Sequence, residues 1–365
     1  MQEERKMILK MIDDGKITAE EGVWLLKELG GTEKKAATEK ETEKNTYLSN
    51  NVDWENGRQY RGKYNQGTFT NRFTEFIEQT VQKIKELDFD LNFGGSVEVN
   101  HIFHHRNTTI SKVDIRIENG SIHFIPWDES DVRIECKVKV YREKEVEAAR
   151  KYFLDEVSFN VSDEKLRFHS REKSLKVSAT VYIPRQNFEE VTLYAFNGQL
   201  SGEEVLASQF EAKTVNGKIS FDKLTSKKIT LETVNGTITV AKLDSEKTEA
   251  KTIHGTINLN ATGGHVDVET FNGTINYKLT EATKSKAYLK TTTGSIEITV
   301  PTNVQTEAEF KTVVGGFTCD LPKLEVVDEK KDIVNKFVTF VSNKGVEPVC
   351  YIEAEARTGS ILIQN

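Results

Sequence analysis

The chain has 365 residues, a formal net charge of −7, 29% charged and 37% hydrophobic residues. With a pI near 5.7 it has no bulk attraction for nucleic acid or anionic lipid, and no apolar run approaches the roughly 18 residues of a transmembrane helix. Cys136, Cys319 and Cys350 lie far apart without a C-x-x-C pair, which fits a reducing compartment.

The N-terminal segment MQEERKMILKMIDDGK carries charges every few residues and lacks an apolar h-region, so no secretory signal is expected and a cytoplasmic location is predicted. Residues 1–31 read as a helical hairpin. Met7, Ile8, Met11 and Ile12 recur at helical spacing, and Gly15 closes the first helix. Thr18 and Glu21 form a capping box that opens the second, whose stripe is Val23, Leu25, Leu26 and Leu29. So short a unit buries too little surface to fold well alone. It is expected to dock on something, with Met7, Met11, Trp24 and Leu25 as its most adaptable apolar surface.

Residues 32–68 form a charged and then Asn/Gly-rich linker with no core-forming run. Helical periodicity returns at 70–88 through Phe73, Phe76, Ile77, Val81, Ile84 and Leu87. Its net negative charge makes a poor match to an anionic membrane, so this helix is read as packing on, and capping, the domain that follows. From about residue 90 the period becomes two, as in Val113, Ile115, Ile117 and then Ile122, Phe124. A short helix is expected at 142–154.

The strongest signal is a repeat spanning 191–318. AFNGQL, TVNGKI, TVNGTI, TIHGTI, TFNGTI and TTTGSI align on Gly198, Gly217, Gly236, Gly255, Gly273 and Gly294, at spacings of 19, 19, 19, 18 and 21, and Gly315 continues the series. Two residues after each glycine stands Leu or Ile; five before stands Leu, Ala or Val. The alternation places one face inward and one outward on two short strands joined at the glycine. A period of this size predicts a mainly β fold, a parallel β-solenoid of the single-stranded β-helix type with about 19 residues per turn. The glycines are expected to be structural corners, with Asn-Gly supplying left-handed backbone. Stacked turns would align Asn197, Asn216, Asn235, His254 and Asn272 into a ladder. Gly120 and Gly359 mark irregular first and last turns, and residues 320–348 read as an insertion before the last.

No nucleophile elbow, phosphate loop, zincin motif or dinucleotide fingerprint is present. His101, His104 and His105 form one local cluster, but only Glu98 stands near as a further ligand, so they are read as exposed strand histidines rather than a metal site. Asp222, Asp244 and Asp267, spaced 22 and 23, miss the repeat register that a glycan-cleaving carboxylate group across adjacent turns would need. Residues 191–300 hold 12 Lys, no Arg and 12 acidic residues, a balance unlike an oligonucleotide groove. The expectation is a protein with no catalytic residues, no cofactor and no metal.

The repeat T-[VI]-[NH]-G-[TK]-I following Tyr182, Ile183 and Pro184 resembles the bacterial adhesin-like β-solenoid family. The hairpin ILKMIDDGKITAEEGVWLLKEL is similar to the helical unit at the front of LiaX-like proteins. The resemblance implies a role in the cell-envelope stress response of Gram-positive bacteria, through binding a protein or peptide partner, and supplies no catalytic residue to carry over. Two other readings stay open: a self-assembling structural β-helix, and a glycan-active enzyme.

Overall fold

The computed structural model describes residues 74–78, 80, 95–107, 109–141, 143–331 and 336–365. The expected hairpin at 1–31, with Met7, Met11, Trp24 and Leu25, and the linker at 32–68 lie outside the described residues. Of the helix expected at 70–88, residues 74–78 and 80 are described, and they are helical. They belong to the compact unit Met1–Gln82, distinct from the unit Lys83–Asn365.

The second unit is mainly β, with 21 strands joined in one hydrogen-bonded sheet. Its centre is a set of parallel strands: β7 (Asn187–Asn197), β8 (Leu200–Asn216), β9 (Ile219–Asn235) and β10 (Ile238–His254). Each pairs with the next, so that Leu200 faces Ile219, Ile219 faces Ile238 and Ile238 faces Ile257. The stack continues as shorter pieces: β11 (Ile257–Ala261), β12 (Gly264–Asn272), β13 (Ile275–Leu279), β14 (Ser285–Thr293) and β15 (Ile296–Thr299). Inward positions are Leu, Ile, Val or Ala because the interior is dry. Leu193, Ala212, Leu231, Ala250, Val268 and Leu289 are all 1% exposed or less. Each buried Leu or Ile contributes about 1.5–3 kcal/mol.

The two ends are not threaded in chain order. Gly120 was expected in an outermost first turn, yet its strand β2 (Lys112–Trp127) lies inside the stack. The first half of β2 runs between β5 (Lys165–Ser170) and β7, and the second half between β6 (Leu175–Pro184) and β8. Antiparallel strands then close this end. β3 (Val132–Tyr141) lies on β6, β1 (Ser96–His105) on β3, and β4 (Val157–Ser162) on β5. The helix expected at 142–154 is α1 (Val146–Glu156), which buries Ala149 and Phe153. Phe103 gathers Phe153, Phe159 and Phe168 around it at ring distances of 6.0, 5.0 and 5.7 Å.

The last turn is likewise not last in space. β20 (Val349–Thr358) and β21 (Ile361–Gln364) sit between β14–β15 on one side and β16 (Gln305–Val314) and β17 (Phe317–Asp320) on the other. The segment expected as an insertion is a hairpin of β18 (Leu324–Lys331) and β19 (Lys336–Ser342), and β19 runs antiparallel along β16.

Candidate functional site

The glycine corners are built by close approach. A Cβ on Gly236 would stand 1.9 Å from the carbonyl oxygen of Gly217, and one on Gly217 would meet Gly198 at the same distance. Gly273 is packed against Gly255 alike, and Gly198 still more tightly against Gly120. The expected left-handed backbone holds only at Gly255 and Gly294, with φ of 152° and 137°. Gly198, Gly217, Gly236 and Gly273 are not among the positive-φ residues, nor are the asparagines before them. The requirement is the missing Cβ: each corner lies directly under the next, with no room for a side chain between backbones.

Two sets of side chains lock the corners together. Asn197 donates to Asn119 Oδ1 at 2.9 Å, Asn216 to Asn197 at 2.8 Å, and Asn235 to Asn216 at 2.9 Å. Register places His254 between Asn235 and Asn272, so an imidazole takes the next rung. The other set went unrecognised in the sequence. The Thr three residues before each glycine is buried and donates to a glycine carbonyl of the adjoining coil: Thr214 to Gly198 (2.9 Å), Thr233 to Gly217 (3.1 Å), Thr291 to Gly273 (3.0 Å). The signal was the invariable threonine at that repeat position.

Outward positions of the longer strands carry a row of charges four residues before each glycine. In spatial order it runs Lys213, Glu232, Lys251, Glu269, Lys290, Glu355, Lys311. The sign alternates at every step. Lys213 lies 3.0 Å from Glu232, and Glu269 lies 3.7 Å from Lys251 and 4.0 Å from Lys290. The alternation holds only because Glu355 is interposed between Lys290 and Lys311, which would otherwise adjoin. Phe196, Val215 and Ile253, one residue before the Asn or His position, share this side and are 4%, 1% and 8% exposed.

Beside the row sit two groups displaced from their ordinary protonation. Burial pushes the Asp267 carboxyl up to about 6 against the pull of Lys251, with Glu269 and Glu249 adding to the rise. Burial lowers His265 to about 4, helped by Lys247 and Lys286. At another end of the sheet Asp114 accepts from Arg116 at 2.8 Å, with Lys165 at 3.4 Å and His169 at 3.5 Å. These are charge pairs along the strands and do not converge on one point.

The three aspartates weighed for glycan chemistry are not brought together. Asp222 stands between Phe221 and Lys223, the partners of Val240 and Lys242; Asp244 pairs with Thr225; Asp267 lies between Glu249 and Tyr288. In the histidine cluster, His104 Nε2 meets Asp131 Oδ2 at 2.9 Å, while His101 packs edge-on against Phe103 at 4.5 Å. Among the described residues no three His, Cys, Asp or Glu side chains gather as a metal would require. A polar recess of about 310 Å³ lies at the bend where Thr262, Gly264, Glu281 and Thr283 meet Lys242 and Asp244. Thr262 donates to Asp244 there at 3.2 Å. No helix among the described residues is long and apolar enough to cross a membrane.

Comparison with known proteins adds three findings. The family model described as Toastrack DUF4097 matches residues 109–339. A model described as a SHOCT-like domain matches residues 3–34, overlapping the segment read as a hairpin. An uncharacterised protein of Bacillus subtilis (strain 168), YvlB, is 42% identical over 369 residues, spanning 100% of this chain and 99% of the relative. Among solved structures, a candidate adhesin from Bacteroides fragilis aligns at TM-score 0.41 and 12% identity, over 73% of this chain and 97% of that one. Another from Parabacteroides merdae aligns at 0.40 and 13%, over 73% and 96%.

Proposed function

The chain belongs to the Toastrack DUF4097 family, and from that premise we propose that it is a non-catalytic scaffold of a bacterial cell-envelope stress response that binds a protein or peptide partner. On this reading residues 69–365 form a parallel β-solenoid of about 19 residues per turn, the separation of paired residues such as Ile219 and Ile238. Residues 1–31 are a docking hairpin on the tether 32–68.

The observation that carries the reading is where the polar side chains at repeat positions point. The Asn, Thr and Lys/Glu rows face their counterparts on the next coil. Hydrolysis or group transfer needs acid, base and nucleophile converging on one reacting atom. A ladder instead makes a stiff, repeating surface, suited to holding other modules in place. The docking role is assigned to Met7, Met11, Trp24 and Leu25 because a short amphipathic hairpin buries its apolar stripe only against something else.

The test compares the full chain with a chain lacking residues 1–46. The truncated protein should keep its strand-rich circular dichroism and its melting temperature. It should lose whatever the full chain captures from envelope-stressed cells, and a photo-crosslinker at Trp24 should label that same partner. Capture undiminished by the deletion would defeat the assignment of the hairpin. A fallen melting temperature or an altered sedimentation coefficient would give it a structural role instead.

A further inference from the structure

The coil made by β20 and β21 is the last in the chain and is held on both edges. Gly294 N donates to Thr358 O at 2.9 Å and Ile296 N to Ser360 O at 3.0 Å on one side. On the other, Gly359 N donates to Val314 O at 2.9 Å and Ile361 N to Gly316 O at 3.0 Å. Cys350, Ile352, Ala354, Ala356, Ile361 and Ile363 are 2% exposed or less. Because residues 349–365 end the chain, they can enter or leave the gap between β14–β15 and β16–β17 without threading a loop. The turn that delivers them exposes Lys344 and Gly345, and Gly345 has open space where a Cβ would be.

We propose that this gap is a strand-binding slot, and that residues 349–365 are an exchangeable plug which a second copy of this chain can supply in trans. Three features select the occupant. The slot offers two open parallel edges, which only an extended strand satisfies. Its inner wall takes apolar residues at alternate positions, with a Gly where Gly359 stacks 2.0 Å beneath the Gly294 carbonyl. Its outer rim presents Lys290 and Lys311, and Glu355 fits between them in register; Lys311 also lies 3.7 Å from Glu353. A second copy carries that same strand, charge and glycine. An exchanged pair of chains would repeat every contact of the single chain, leaving the delivering turn as the part that changes.

The experiment keeps the chain whole while it folds. A protease site is inserted between Lys344 and Gly345, and the folded protein is then cut. The cut chain should retain its strand signal and take up a dye-labelled peptide of residues 346–365, read by fluorescence anisotropy, while the uncut chain takes up far less. The same peptide with Glu355→Lys should bind about tenfold more weakly, since it sets three lysines in one row, and with Ile361→Asp it should not bind. Uncut copies carrying two different tags should co-purify after joint refolding at high concentration, but not when refolded apart and then mixed. Loss of the strand signal on cutting, no peptide uptake by the cut chain, equal uptake of the Glu355→Lys peptide, or no co-purification after joint refolding would each overturn the proposal.

Discussion

The carbonyl oxygen of Gly217 lies 1.9 Å from the point that a Cβ on Gly236 would occupy. A methyl group there must displace the backbone of the neighbouring coil, which is paired along its length. Gly236→Ala should therefore cost about 1–3 kcal/mol, the range for overpacking, and Gly236→Val more. Gly316, with nothing within 4 Å of its Cβ position, is the control: Gly316→Ala should leave the melting temperature near that of the parent. Equal melting of the two alanine variants in denaturant titration would remove the close-approach argument.

Ile238 is fully buried between Ile219 and Ile257. Truncation to Ala should cost about 2–5 kcal/mol, because stacked neighbours on both sides limit collapse of the cavity. Urea unfolding with an unchanged m-value would report this as a stability loss alone.

Thr233 is buried and donates to the Gly217 carbonyl at 3.1 Å. Thr233→Val keeps the shape and removes the donor, and should cost about 1 kcal/mol. Thr233→Ser restores the hydroxyl and should recover part of that loss. If Val and Ser variants melt together, the hydroxyl contributes nothing beyond packing.

Asp267 and His265 should pull the pH dependence of stability in opposite directions. With its folded pKa raised from 3.8 to about 6, Asp267 makes the folded state bind more protons than the unfolded one across that window. Stability from this group therefore falls as pH rises from 4 to 6. His265, lowered from 6.5 to about 4, makes the unfolded state bind more protons, so its share of stability rises with pH from 4 to 6.5. Each slope amounts to at most about 3 kcal/mol, less where solvent reaches the groups. Relative to the parent, Asp267→Asn should gain melting temperature as pH rises through 4–6, and His265→Gln should gain it as pH falls through 6.5–4. Melting scans at half-unit intervals, with curves parallel to the parent, would refute both assignments.

The repeat was legible because inward Leu and Ile positions and the Gly corner recur on one short period, so facing residues could be matched by eye from Leu200 to Ile296. The positions of β2 and β20–β21 were not legible from that period, since which coil lies above which is a long-range pairing that local alternation does not encode. One clue was present. Four residues before Gly294 and Gly315 stand Lys290 and Lys311, a like-charged pair in a row that otherwise alternates, and Glu355 is the residue that separates them. The corner glycines were identified with the wrong reason, because Asn-Gly dipeptides favour left-handed turns in isolation, whereas here the neighbouring backbone decides. The buried charges Glu232, Glu249 and Lys251 read in the sequence as solvated strand positions, and nothing in the repeat marks their burial.

The Thr–Gly clasp has one more consequence. Since each corner is fastened to the one beside it, every coil must come back to the same phase whatever its length. Departures from the common length are accommodated at the other bend: at Thr262–Gly263 where the glycine spacing is 18, at Thr280–Lys284 where it is 21, and by far larger excursions after Trp127 and Asp320. That bend is thus the place where this chain tolerates foreign sequence. A loop or small domain grafted at 262–263 or 281–284 would be displayed at a fixed height along a rigid rule, with the coil spacing as its graduation.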